Sequence, residues 1–152
     1  MIGVGDFAPD FTGTTAEGAA FTLSSLRGRP FVLYFYPKAN TMGCTIEARG
    51  FTEHYPELSA AGVQVVGVSV DSVEAQHRFQ EKYAIPFPLI ADRDRAIARR
   101  YGVVGLLGIA KRVTFLLDAE GRVTEVLEGV SPRPHVKGAV ERLAGDRAPG
   151  PT

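Results

Sequence analysis

Two continuous apolar runs of strand length stand out along the chain, Phe31-Val-Leu-Tyr-Phe-Tyr36 and Val63-Gln-Val-Val-Gly-Val-Ser-Val70. Runs of that length and composition predict strands buried on both faces. Between them, Ile46 to Ala61 has helical spacing, with Phe51, Tyr55 and Leu58 on one face. Pro56 predicts a bend or break in that helix near Glu53, and Gly62 ends it. After the second run, Asp71 or Ser72 is placed to cap a helix carrying Phe79 and Tyr83. Ile85-Pro-Phe-Pro88 closes it, and Pro88-Leu-Ile-Ala91 is a short extended piece. Asp92 or Asp94 then caps a helix reaching Arg100 or Tyr101. Val103 to Ala110 is apolar and broken by glycine, hence a loop. Arg112-Val-Thr-Phe-Leu-Leu117 and Arg122-Val-Thr-Glu-Val-Leu127 flank Asp118-Ala-Glu-Gly121, a hairpin pattern. Pro134 to Leu143 closes the pattern as an amphipathic helix. Toward the N-terminus, Phe7 to Phe11 and Phe21 to Leu23 predict short strands or a small hairpin. Ser24 to Gly28 predicts one helical turn ended by glycine.

Strands alternating with helices, followed by a hairpin and a last helix, predict an α/β fold with a mixed sheet flanked by helices. Ligands in such sheets collect beyond the carboxyl ends of the central strands. The 152 residues, 45% hydrophobic, suit one domain over residues 1–145, with a Pro/Gly-rich flexible tail at 146–152. Lys plus Arg and Asp plus Glu are 17 each, a net charge of zero. That balance argues against nucleic acid as the main partner. Arg93, Arg95, Arg99 and Arg100 form a local basic cluster, most simply a solvated helix face. No apolar run approaches the roughly 20 residues needed to span a bilayer. The N-terminal segment has no signal-peptide pattern. One cysteine excludes an internal disulfide, and these features together predict a reducing, cytoplasmic setting.

That cysteine, Cys44, sits in Tyr36-Pro-Lys-Ala-Asn-Thr-Met-Gly-Cys44-Thr45, between the first buried strand and a helix beginning near Met42. The unpaired amides and positive dipole end of a helix N-terminus favour a thiolate, the nucleophilic form. A lone cysteine is commonly a small, inert core residue. Its neighbours here argue otherwise. Gly43 permits close approach of the backbone to a ligand, Thr41 places a hydroxyl near the same helix end, and Pro37 cannot extend the strand ladder. Thr41 is also an ordinary helix N-cap type, and Glu47 an ordinary first-turn carboxylate. His54, His77 and His135 are too scattered to suggest a metal site, and nothing calls for a cofactor.

Pro37-x-x-x-Thr41-x-x-Cys44 resembles the active-site pattern of the peroxiredoxins. Phe35-Tyr-Pro-Lys-x-Asn-Thr-x-Gly-Cys-Thr-x-Glu-Ala48 is similar to the branch called peroxiredoxin Q or bacterioferritin comigratory protein. Gly5-Asp-x-Ala-Pro-Asp-Phe11 and Arg112-x-Thr-Phe-Leu-x-Asp118 match as well, so the resemblance extends to about residue 140. It implies a thioredoxin-like fold with an N-terminal strand extension, and reduction of hydrogen peroxide and organic hydroperoxides. Cys44 matches the peroxidatic cysteine, which becomes a sulfenic acid. Thr41 matches the hydroxyl on the thiolate and peroxide, Pro37 the residue shielding the thiolate, and Arg112 the arginine aimed at the pocket. Glu47 stands where a carboxylate commonly orients that arginine. The amides of Gly43 and Cys44 can join Arg112 in stabilising the leaving oxygen.

Many members of the branch carry a resolving cysteine five positions after the first, where this chain has Arg49. The sulfenic acid must therefore meet an outside thiol, a second Cys44 in another subunit, or further oxidation; the expected course is a one-cysteine mechanism with thioredoxin, glutaredoxin or a low-molecular-weight thiol as reductant. Met42 stands where proline is common, adding an oxidisable sulfur. The resemblance leaves the chain a monomer or a homodimer. A peroxide sensor or redox relay, or a chaperone-like module on the same fold, are the alternatives to a peroxidase. A disulfide reductase is disfavoured, because Met42-Gly-Cys-Thr45 lacks a Cys-x-x-Cys pair.

Overall fold

The apolar alternation of Phe31–Phe35 divides the structure, a computed structural model that describes residues 1–144, into two cores. This strand, β3, is buried along its whole length. Val32, Tyr34 and Tyr36 face one core, and Phe31, Leu33 and Phe35 face the other, as the two-residue period of a strand requires. The other strands are β1 (Thr12–Thr15), β2 (Ala20–Thr22), β4 (Gln64–Ser69), β5 (Leu89–Ala91), β6 (Val113–Leu117) and β7 (Val123–Glu128). They form one seven-stranded sheet in the order β2-β1-β5-β4-β3-β6-β7. Strands β3, β4 and β5 run parallel, and every other pairing is antiparallel. This is the mixed thioredoxin-like sheet, with the β1–β2 hairpin as its N-terminal extension.

Helices α1 (Met42–Ala60), α2 (Val73–Tyr83) and α4 (Pro132–Leu143) cover the face of Tyr34, supplying Phe51, Phe79 and Val136 to its core. Helix α3 (Ala96–Tyr101) covers the other face with Ile97 and Tyr101. Ser72 caps α2, accepting from the Ala75 amide at 3.1 Å. Asp92 holds the start of α3 by accepting from the amides of Ile97 and Ala98. The hairpin turn forms as expected: Asp118 accepts from the amides of Glu120 and Arg122, and Gly121 takes a φ of 86°.

Two particulars differ from the sequence reading. Helix α1 runs from Met42 to Ala60 through Pro56, with no break near Glu53. Pro56 is exposed, so water can bond the Thr52 carbonyl that loses its amide partner. The segment 103–110 is more ordered than a loop, with a bridge between Val104 and Ala110 and a turn of 3-10 helix at Leu106–Gly108. The arginine cluster is a solvated face as expected, with Arg93, Arg99 and Arg100 exposed and Arg95 half-buried; Arg95, Arg99 and Arg100 also donate to the carbonyls of Gly108, Asp94 and Asp10. The expected tail at 146–152 lies outside the described residues. Among the described residues, no helix is long and apolar enough to cross a membrane.

Candidate active site

Strand β3 ends beside the N-terminus of α1, and the link between them, residues 36–41, is pinned at several points. The Tyr36 amide donates to the Val68 carbonyl at 3.0 Å, and the Ala39 amide to Asp71 Oδ2 at 2.7 Å. Asn40 takes a φ of 63°, a left-handed conformation that asparagine tolerates. The Thr41 hydroxyl donates to the Lys38 carbonyl at 2.8 Å. That bond replaces the side-chain cap expected of Thr41, which is absent although its backbone is in the N-cap conformation. Asp71, offered by the sequence as a helix cap, also accepts from the Ser69 hydroxyl.

Cys44 is the third residue of α1 and only 1% exposed. The Thr45 amide is bonded to the Thr41 carbonyl at 2.8 Å. The amides of Met42, Gly43 and Cys44 precede the helical ladder and form its positive end. Cys44 and Glu47, one turn apart, share the buried stripe of the helix with Ala48 and Phe51.

Arg112 reaches this stripe from the residue before β6. The antiparallel register pairs Phe35 with Val113, so residue 112 falls beside the link leaving β3. Its guanidinium is held on three sides. Nη2 donates to Cys44 Sγ at 3.5 Å, Nη1 to Glu47 Oε1 at 2.5 Å, and Nε to the Val130 carbonyl at 2.9 Å. Glu47 is fully buried and the Arg112 side chain is 7% exposed. Burial pushes the Glu47 carboxyl above its usual range, while the charge and hydrogen bond of Arg112 pull it back. Burial also opposes the Arg112 charge, but Glu47 and Cys44 more than offset it and hold the guanidinium above its ordinary pKa. Gly43 lies directly against this group: a Cβ there would meet Arg112 Nη2 at 2.9 Å.

Pro37 is half-buried and shares a groove of about 390 Å³ with Leu106, Ile109, Arg112 and Val130. Met42 stands outside, 82% exposed. A larger groove between α1 and α4, about 490 Å³, contains Arg49 and none of the predicted site residues. The sequence reading missed the Val130 carbonyl and the place of His135 beside Glu47. Tyr34 is a core residue, fully buried, and its hydroxyl has no hydrogen-bond partner among the described residues. Among sequence signals, only the place of His135 on the apolar stripe of α4 pointed inward.

A buried thiol at a helix start, faced by an arginine held on a carboxylate, is an arrangement that can support nucleophilic sulfur chemistry on a substrate that gains negative charge. The pattern of the AhpC/TSA family matches residues 4–126, and the chain belongs to that family. A Coxiella burnetii protein assigned as a peroxiredoxin bcp is 44% identical over 150 residues, covering 93% of this chain and 99% of the relative. The crystal structure of peroxidoxin BcpB from Mycobacterium tuberculosis superposes with a TM-score of 0.89 at 34% identity, covering 97% of this chain and all of that one. The Xanthomonas campestris bacterioferritin comigratory protein, whose structures concern alkyl peroxide reduction, gives 0.83 at 33% identity, covering 90% of this chain and 91% of that one.

Proposed function

We propose that this chain is a one-cysteine, thiol-dependent peroxidase that reduces hydrogen peroxide and small organic hydroperoxides through Cys44. One observation carries the reading: Cys44 Sγ lies at the start of α1, 3.5 Å from an Arg112 guanidinium anchored on Glu47 and the Val130 carbonyl. The Cys44 thiolate attacks the terminal peroxide oxygen. An S–O bond forms and the O–O bond breaks. The alkoxide or hydroxide leaves and takes a proton from water, and Cys44 is left as a sulfenic acid. Charge develops on the leaving oxygen, where the Arg112 donors and the amides of Gly43 and Cys44 are already oriented. Thr41 turns its hydroxyl from the Lys38 carbonyl to the thiolate and the peroxide. Pro37 keeps water from the sulfur, and Glu47 fixes the arginine.

The sulfenic acid is then attacked by an external thiol, giving a mixed disulfide and water. A second thiol releases Cys44 and carries away the disulfide. Thioredoxin, glutaredoxin and low-molecular-weight thiols all supply that chemistry, and with no second cysteine in the chain the sulfenic acid cannot close an intramolecular disulfide instead. The Xanthomonas relative's alkyl peroxide activity and the apolar groove beside Pro37 support organic hydroperoxides as substrates. The lone cysteine suits a cytoplasmic setting.

Peroxide consumption by the parent protein and by Cys44→Ser, each with and without a small thiol, tests this reading. Consumption that requires both Cys44 and the thiol is expected. Equal consumption by Cys44→Ser would overturn the reading, and a disulfide-linked dimer as the main peroxide product would overturn the one-cysteine step.

A further inference from the structure

His135 lies on the buried face of α4, 1% exposed, with both ring nitrogens engaged. Nε2 is 2.8 Å from the Gly129 carbonyl oxygen, and a carbonyl only accepts, so Nε2 carries the proton and donates. Burial pushes the imidazole below its ordinary pKa, which keeps the ring neutral. Nδ1 is then an acceptor, and the Thr114 hydroxyl donates to it at 2.8 Å.

A buried imidazole satisfied by two hydrogen bonds is commonly a packing residue. This one also holds the turn that supports a single guanidinium. The carbonyl it holds, Gly129, is one residue before Val130, whose carbonyl accepts from Arg112 Nε. Gly129 has a φ of 125°, open to glycine alone, so that turn has few other ways to be fixed. On the ring's other side, Nδ1 is 4.0 Å from Glu47 Oε2, beyond hydrogen-bond reach, and that oxygen has no hydrogen-bond partner among the described residues. The opposite oxygen of the same carboxylate holds Arg112 Nη1.

Building on the peroxidase reading, we propose that His135 is a positioning residue for the peroxide step, setting the Arg112 guanidinium over Cys44 through the Gly129–Val130 turn. It touches no reacting atom and acts only through Arg112.

The test uses the reduced full chain carrying His135→Leu, His135→Gln or Thr114→Val. One readout is the rate of peroxide-dependent loss of the Cys44 thiol, and the other is the NMR signal of the Arg112 Nε–H group. His135→Leu is expected to slow the reaction about tenfold or more, as losing the outer partner of a functional ligand does, and to displace the Arg112 signal. His135→Gln keeps an N–H for the Gly129 carbonyl and is expected to recover most of both. Thr114→Val, close to threonine in shape, is expected to move both readouts in the same direction by less. A folded His135→Leu with the parent rate, or with a slowed rate and an unmoved Arg112 signal, overturns the proposal. So does a His135→Gln no better than His135→Leu. Should His135→Leu fail to fold, Thr114→Val decides: parent values in both readouts overturn the proposal. A parent protein that ignores peroxide would remove the peroxidase reading instead, with the Arg112 signal still testing the positioning.

Discussion

Arg112 Nη2 lies 3.5 Å from Cys44 Sγ although 68 residues separate them in sequence. The adjacent nitrogen of the same fork is on Glu47, one helical turn beyond Cys44. A planar, permanently charged group thus ties the thiol to a buried carboxylate and faces the sulfur without reorganising. Arg112→Lys keeps the charge and loses the fork. Its rate of peroxide-dependent Cys44 oxidation is expected to fall about a hundredfold, the scale for removing a donor aimed at developing charge. Stopped-flow mixing of the reduced proteins with peroxide measures it, and an unchanged rate would take Arg112 out of the step.

The same pair contributes to stability. Removing one partner strands the other's charge among buried groups. Arg112→Met or Glu47→Gln alone is therefore expected to destabilise the fold by about 3 kcal/mol. The double variant is expected to lose less than the sum of the two, because no buried charge is left unpaired. Urea unfolding of the four proteins gives the coupling, and additive losses would mean the pair does not stabilise itself.

Gly43 separates stability from reactivity. Alanine is the better helix former by about 0.5 to 1 kcal/mol, but its Cβ would meet Arg112 Nη2 at 2.9 Å. The guanidinium has three anchors and must give up at least one of them to move away. Gly43→Ala is expected to hold or raise the unfolding temperature while slowing Cys44 oxidation by about tenfold. Thermal unfolding and stopped-flow traces on the same sample check both halves, and a parent-like rate would show that Arg112 moves without consequence.

His135 makes stability depend on pH. Its folded pKa lies below the ordinary 6.5 because the ring is buried. The unfolded chain therefore takes up a proton that the folded chain refuses. The stabilisation is full above pH 6.5 and is lost as pH falls toward the folded value. Glu47 carries the opposite sign. Burial raises its pKa above 4.5, so its share of stability declines as pH rises from there. Glutamine at 135 cannot titrate. Between about pH 7 and about pH 5, the parent is expected to lose more stability than His135→Gln. Equal losses in urea titrations at the two pH values would contradict this.

The placement of Cys44 was legible because two simple signals meet there: a run of strand length with no polar break, then helical spacing with a stripe through Phe51 and Leu58. The hairpin from Val113 to Glu128 was legible from its alternation and turn residues. Arg112 was different. Its spacing marks only a strand start, and its aim follows from the register that sets Val113 against Phe35. A sequence resemblance supplied that where periodicity could not. Pro56 misled, since its effect on a helix depends on whether water reaches the freed carbonyl, which sequence does not state. Asp71 and Ser72 were interchangeable as caps in sequence. The fold separated them by giving Asp71 the Ala39 amide. His135 was weighed only as a metal ligand and set aside, because nothing near it in sequence shares its chemistry; its partners come from β6 and the turn before α4.

The peroxidatic role of Cys44 is tested most directly by the intact mass of the reduced protein, taken within seconds of adding one equivalent of hydrogen peroxide in the presence of dimedone, beside Cys44→Ser. A single dimedone adduct on the parent, absent from Cys44→Ser, is the predicted result. A parent protein that keeps its free thiol and gains no adduct would contradict the account.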